Sequence, residues 1–265
     1  MQKILLLGAS GLVGRTLADA LQETYQIIPA AGHQAPECGY CLPAEDPDRL
    51  LEVLDREDPE IAVSAIRGNY RAQMAFHERL ADWMAGKDKR LLYVSTANVF
   101  DGDLSRPWTE ADRPCPESEY GVFKRDCEKL LRKKLGDRLM IFRLATVWAP
   151  DCPRIQALRA HSRSGELHRT CRGSTVNVTL ARQIGDYARY VLDHDLCGVF
   201  HVGTTDMTDY FAFEQMVCKK LDIPLPAFGV EGSESQAYQA VLPARREIPD
   251  ALQLTVTQVL DALNQ

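Results

Sequence analysis

Three groups of residues have types and spacings suited to chemistry. Tyr120 and Lys124 stand four apart in Tyr120-Gly121-Val122-Phe123-Lys124, so on a helix both side chains share one face. A free phenol titrates near pH ~10 and is a weak proton donor at neutral pH. An ammonium beside it stabilises the phenolate and lowers that value. Ser95-Thr96 ends an apolar run and offers a hydroxyl that can hydrogen-bond a carbonyl oxygen. Side chains alternate along a strand, so only one of the two faces the cleft. The third group is Gly8-Ala9-Ser10-Gly11-Leu12-Val13-Gly14, a G-x-x-G-x-x-G turn. Gly8 ends a strand, Gly11 lets backbone approach phosphates, and Gly14 lets the next helix pack close to the sheet. The N–H groups of that helix start can meet a pyrophosphate. A Tyr-x-x-x-Lys alone is most often a chance pairing on a helix surface. In this order behind a glycine turn, the set describes hydride delivery to a carbonyl with Tyr120 as proton donor.

Apolar runs alternating with amphipathic segments place these residues on an α/β frame with a parallel sheet. Strands are expected at Ile4–Leu7, Ile27–Ala30, Ile61–Ile66, Leu91–Ser95 and Leu139–Val147. Helices are expected at Leu12–Glu23, Asp46–Glu57, a segment marked by Met74, Leu80, Trp83 and Met84, and Tyr120–Lys134. After Pro150, Pro153, Gly165 and Gly173 interrupt short segments. A helix over Leu180–Asp193, a strand over Val199–Val202 and a helix over Tyr210–Leu221 follow. Residues 1–150 therefore read as a nucleotide-binding domain. Residues 151–265 read as a smaller lobe that shapes the substrate site, partly interleaved with the first.

The chain has 265 residues, 45% of them hydrophobic, which suffices for one large domain with a smaller lobe. No apolar run of ~18 residues suggests a membrane span. A net charge of −6 argues against a general nucleic-acid surface. Between Cys152 and Arg172, however, five arginines face Glu166 alone, a local +4. That segment suits a phosphorylated substrate or, equally, a solvated helix face. Eight dispersed cysteines and no secretory signal fit reduced thiols in a cytoplasm. Cys38-Gly39-Tyr40-Cys41 is a single C-x-x-C with only His33 nearby, too few ligands for a structural zinc, so no metal is expected. Asn177-Val178-Thr179 has the form of a glycosylation sequon. The second strand ends in Pro29-Ala30-Ala31-Gly32-His33 without the acid that usually holds a 2′-hydroxyl. NADP(H) is therefore favoured over NAD(H), with Arg15 and His33 as candidate phosphate partners.

These motifs resemble the extended short-chain dehydrogenase/reductase superfamily, and within it the dTDP-4-dehydrorhamnose reductases. The likeness includes Val94-Ser95-Thr96-Ala97-Asn98-Val99-Phe100-Asp101-Gly102, Arg106-Pro107-Trp108-Thr109-Glu110, Ile141-Phe142-Arg143, Val147-Trp148-Ala149-Pro150 and Gly198-Val199-Phe200-His201-Val202-Gly203. It covers roughly residues 3–220. The resemblance implies a Rossmann doubly wound parallel sheet with a smaller C-terminal substrate-binding lobe, and reduction of a 4-keto sugar on a nucleotide. It selects Thr96 over Ser95 as the catalytic hydroxyl, with Tyr120 and Lys124. Gly8, Ser10, Gly11, Leu12, Val13, Gly14, Ala65, Ile66, Arg67, Tyr120 and Lys124 would hold the cofactor. Thr96, Ala97 and Thr146 would face the substrate.

The chain departs from the family where the sugar is recognised. Ser64-Ala65-Ile66 stands for Asn-Ala-Ala, and Thr96-Ala97 for Thr-Asp. Thr146 replaces a substrate-contacting tryptophan, and an acid expected around Leu42-Pro43-Ala44 is missing. The reading is thus an NAD(P)-dependent reductase of a nucleotide-linked sugar or other phosphorylated small molecule, compatible with a homodimer. Two other readings are a nucleotide-sugar epimerase or dehydratase, and a non-catalytic NADP-binding subunit like that of methionine adenosyltransferase.

Overall fold

The computed structural model describes residues 1–231 and 237–264. The first part is a repeating strand–helix chain. It runs β1 (Lys3–Leu7), α1 (Leu12–Leu21), β2 (Gln26–Ala31), β3 (Tyr40–Cys41), α2 (Pro47–Glu57), β4 (Ile61–Ser64) and α3 (Tyr70–Met84). It continues through β5 (Arg90–Thr96), a 3₁₀ turn (Ala97–Phe100), α4 (Glu119–Leu135) and β6 (Leu139–Leu144). Strands β4 and β6 are buried along their whole length, as a parallel sheet covered on both faces requires.

The second part has shorter pieces: β7 (Thr146–Trp148), α5 (Pro153–Ser164), β8 (His168–Cys171), β9 (Ser174–Val176), β10 (Val178–Leu180) and α6 (Ala181–Asp193). After them come β11 (Gly198–Val202), β12 (Thr208–Asp209), α7 (Tyr210–Lys220), β13 (Phe228–Glu231), β14 (Ala237–Gln239) and α8 (Val256–Ala262). Seven parallel strands form the main sheet in the order β11-β6-β5-β4-β1-β2-β3. Although late in sequence, β11 closes one edge of this sheet, and α6 packs with β1, β5 and β6 in the core on one face. The other face is covered by α2, α3 and α4 through Leu50, Leu54, Phe76, Leu80, Phe123 and Leu131.

The chain moves outward from β1 to β3, then returns to β4 on the other side of β1. This reversal opens a crevice at the carboxyl ends of β1 and β4, the position where such sheets take ligands.

The expected strand Leu139–Val147 is divided. β6 stays in the main sheet, while β7 leaves it and pairs in parallel with β10. Between them Ala145 donates its N–H to Val202 O, 3.3 Å away. The expected strand Ile61–Ile66 likewise ends at Ser64, and Ala65 and Ile66 are released to the crevice. The sequon is inside the protein: Asn177 and Thr179 are 0% exposed, and the Asn177 amide donates to Thr204 O and Val241 O. Among the described residues no helix is long and apolar enough to cross a membrane, and no group of three or more His, Cys, Asp or Glu could hold a metal ion.

Candidate active site

The crevice opens into a cleft of about 970 Å³ between the main sheet and the short elements of the second part. Its floor begins at the glycine turn. Gly8 has φ +86°, and a side chain there would drive its Cβ to 2.7 Å from Ala65 O. A Cβ on Gly14 would lie 2.1 Å from Gly8 O, so only glycine lets α1 start this close to β1. Gly11 caps α1 without a side-chain hydrogen bond, and the first turn holds no acid. That helix start is open to an anion. Gly11, Leu12, Val13 and Gly14 line the cleft, as do Ala65, Ile66 and Arg67 from the end of the neighbouring strand β4. Gly8 and Ser10 do not line it. Gly8 shapes the turn, and the Ser10 carbonyl accepts the Arg15 guanidinium at 2.7 Å. Arg15 reaches the cleft wall, whereas His33 is an exposed residue away from it.

Strand alternation separates Ser95 from Thr96. Ser95 points to the α4 side, where its hydroxyl donates to Glu128 Oε1 at 2.5 Å. Thr96 lines the cleft, donating to Asn98 Oδ1 at 2.9 Å and accepting from Asn98 N at 3.2 Å. The second bond caps the 3₁₀ turn and fixes the hydroxyl at the strand end. Opposite it, α4 brings in Tyr120 and Lys124, both on the cleft wall. Ser118 caps α4 by accepting from Gly121 N at 3.0 Å, and Asp101 in turn accepts from Glu117 N at 2.7 Å and Ser118 N at 3.2 Å. A Cβ on Gly121 would meet Asn98 O at 2.2 Å, so this glycine lets the start of α4 press against the 3₁₀ turn. Tyr70 extends the clamp: its ring stacks on Phe123 at 4.8 Å and leans on Tyr120 at 5.9 Å.

Lys124 is 5% exposed and donates to Val94 O at 2.9 Å. Burial lowers its pKa to about 8, against the opposing pull of Cys127 and Glu128. Burial raises the Tyr120 phenol above its ordinary value, while the Thr96 hydroxyl and the Arg67 charge pull it down. This differs from the sequence expectation, in which the lysine lowers the phenol. Here the cation acting on Tyr120 is Arg67, and the ammonium is held by a backbone carbonyl. Beneath, His77 is fully buried and held well below its usual value, near 3, first by burial and then by Lys124. It stays neutral: Nδ1 donates to Gln73 O at 2.7 Å, and Nε2 accepts from the Ser64 hydroxyl at 2.8 Å.

The far wall comes from the shorter elements. Thr146 lines it from β7, while Ala97 lines the cleft on the sheet side, next to Thr96. Trp148 does not; it is fully buried against Phe213, with ring centroids 5.0 Å apart. The sequence reading missed Trp108, His168, Tyr210, Glu214 and Tyr238 on this wall. Trp108, in the Arg106–Glu110 segment, stacks on Phe100 at 5.1 Å. Of the basic segment, Arg154 and Arg169 reach the cleft. Cys38 and Cys41 are exposed free thiols outside it, and Arg245 is tied to Glu247 and the carbonyls of Cys197 and Val199.

The fold and the family match are those of an NAD(P)-dependent oxidoreductase of the short-chain dehydrogenase/reductase type. The chain belongs to the RmlD substrate binding domain family, whose model matches residues 1–260. It is 31% identical to a dTDP-4-dehydrorhamnose reductase of Burkholderia thailandensis over 56% of this chain and 51% of that one, so the alignment spans about half of that relative. It is 25% identical to the dTDP-4-dehydrorhamnose reductase of Escherichia coli over 92% of this chain and 86% of that one. Its fold matches the Bacillus anthracis dTDP-4-dehydrorhamnose reductase in complex with NADP at a TM-score of 0.82, with 16% identity over 100% and 98% of the two chains.

Proposed function

We propose that this protein reduces the carbonyl of a 4-keto-6-deoxy sugar carried on a nucleotide, with NADPH as the favoured reductant and NADH as the second choice. The observation that carries this reading is one cleft lined both by the glycine turn and by Thr96, Tyr120 and Lys124. The names of the relatives support the substrate class. The open start of α1 and the absence of an acid after β2 fit a dinucleotide with a 2′-phosphate. The dinucleotide would lie along Gly11–Gly14 and Ala65–Arg67, and when bound it supplies hydride. Thr96 hydrogen-bonds the substrate carbonyl oxygen. Tyr120 donates its hydroxyl proton to that oxygen as negative charge develops there. Arg67 and Thr96 favour the phenolate that remains. Lys124, still mostly protonated at pH 7, holds the nicotinamide ribose. Arg154 and Arg169 take the diphosphate of the nucleotide. A dehydratase would want an acid beside the hydroxyl, and that position is Ala97.

The test combines thermal shift with NADPH oxidation at 340 nm. NADPH stabilises the protein more than NADH does, and one nucleotide-linked 4-keto-6-deoxy sugar adds a further shift and is turned over. Stabilisation by NADPH without turnover of any such sugar would remove the substrate assignment.

A further inference from the structure

Three consecutive residues of β5 meet three consecutive turns of α4. Thr96 faces Tyr120, Val94 O accepts from Lys124, and Ser95 donates to Glu128. The first two contacts are the proposed catalytic set. The third lies one turn deeper and has no part in the reaction as described above. Glu128 is 3% exposed, a costly place for a carboxylate unless charge and hydrogen bonds compensate. It receives Ser95 on Oε1, Arg143 Nε on Oε1 at 3.1 Å, and Arg143 Nη2 on Oε2 at 2.7 Å. Arg143 pairs in register with Ser95 on β5 and with His201 on β11, and its Nη1 lies 3.5 Å from His201 Nε2. His201 donates from Nδ1 to Leu242 O at 3.2 Å, so its Nε2 is the accepting nitrogen. One carboxylate thus ties α4 to β5 and β6, and through Arg143 to β11.

We propose that Glu128 is a positioning residue: it sets the register of α4 against β5 and holds its carboxylate one helical turn from Lys124 on the same face of α4. The inference rests on the reductase reading for its consequence in turnover, but not for its effect on Lys124. The groups facing Lys124 make the case. Tyr120 and Cys127 from α4 and Tyr93 from β5 are neutral at pH 7, and Lys124 Nζ sits 4.6 Å from the centre of the Tyr93 ring. His77 from α3 is neutral, and Arg67 after β4 repels the ammonium. Glu128 is four residues from Lys124 on α4, so its carboxylate, paired with Arg143, lies on the same helix face one turn away. Ser95, too, is explained: its hydroxyl anchors that acid rather than competing with Thr96.

The experiment is a pH titration of Lys124 by NMR in protein labelled with ¹³C at lysine Cε, the resonance being assigned with Lys124→Met. The wild-type midpoint falls near 8. Glu128→Gln lowers it by about one pH unit or more, because the opposing charge is gone. Glu128→Asp keeps the charge and holds the midpoint while its shorter reach slows turnover. Should Glu128→Gln alone fail to fold, Glu128→Gln with Arg143→Met removes both buried charges and lowers the midpoint as well. An unmoved midpoint with impaired turnover makes Glu128 a structural residue only and overturns the proposal. A shifted midpoint in a protein that reduces no nucleotide-linked sugar leaves Glu128 in place and removes the reaction instead.

Discussion

The two walls of the cleft are built on different principles. On the sheet side, each proposed catalytic group is fixed from several directions. Thr96 is held by the side-chain carbonyl and the backbone N–H of Asn98, Lys124 by Val94 O, and Tyr120 by the Ser118 cap, the Asp101 clamp and the Tyr70 ring. On the opposite side, Arg154, His168, Arg169, Tyr210, Glu214 and Tyr238 project from α5, β8, α7 and β14, strands and helices that share no continuous sheet with the catalytic groups. In the proposed reaction, the first wall would determine whether a carbonyl is reduced, and the second which molecule presents it. On that reading, specificity can diverge by replacing side chains on short elements, such as Thr146 on β7, while the Thr–Tyr–Lys set stays intact.

The sharpest way to break this division is Tyr120→Phe. Removing one hydroxyl leaves the ring packing on Tyr70 but takes away the proton donor. Turnover falls by about 10²–10⁴-fold, while NADPH affinity measured by fluorescence changes by less than about threefold. Near wild-type turnover in this variant would show that the proton comes from elsewhere.

Lys124→Met separates function from stability on the same wall. A buried lysine held at about 8 rather than 10.5 means the fold disfavours the proton. The unfolded chain then binds more protons than the native one between those values, so wild-type stability rises with pH through that window. The full cost is present below pH 8. Met removes it, and urea unfolding at pH 7 shows the variant more stable by about 2–4 kcal/mol. The gain shrinks toward pH 10.5, and turnover is lost at every pH. Destabilisation at pH 7 would mean that the Val94 bond and Glu128 more than offset the burial.

On the opposite wall, Arg154→Met has a smaller and different effect. Arg154 is exposed at the first turn of α5 and donates to Val147 O at 3.2 Å. Loss of one charge-assisted bond to a diphosphate raises KM by about tenfold, with kcat within about threefold. A fall in kcat with KM unchanged would put Arg154 on the chemical side and dissolve the comparison.

What was legible in the sequence follows the same boundary. Strands β1, β4, β5 and β6 are dense apolar runs because both faces of the sheet are covered, and α4 carries its chemistry at helical spacing. The glycine turn was readable because its glycines answer local steric demands. The second part was harder. Helix α5 buries only Ile155 and Leu158, too narrow a stripe to stand out, although Pro153 and Gly165 (φ +73°) are ordinary start and stop signals. Strands of two to four residues such as β8, β9 and β12 carry little periodicity. Long-range contacts were invisible for another reason. Asp101 finds Ser118 17 residues away, and Ser95 finds Glu128 33 residues away. Residue types could therefore suggest the hydroxyl but could not say what turned Ser95 away. That burial and Arg67, rather than Lys124, act on the Tyr120 phenol also needed three dimensions.

The weakest fixture tests the contrast from its other end. Arg169 on β8 pairs with Glu231 on β13 at 2.5 Å, with side chains 77% and 59% exposed, at the rim of the lobe wall. Water screens such a pair, and holding two long side chains costs entropy that offsets most of the attraction. Glu231→Gln therefore changes unfolding free energy by less than about 0.5 kcal/mol, read from urea midpoints at constant m-value. The same change leaves Arg169 without its carboxylate partner, so added salt screens diphosphate binding more strongly in the variant than in the wild type. If stability instead fell by more than about 1 kcal/mol, well beyond what an exposed pair contributes, the rim would be clamped as firmly as the catalytic side. The claim that substrate choice varies independently of chemistry would then lose its physical basis, because the two walls would no longer differ in how rigidly their side chains are held.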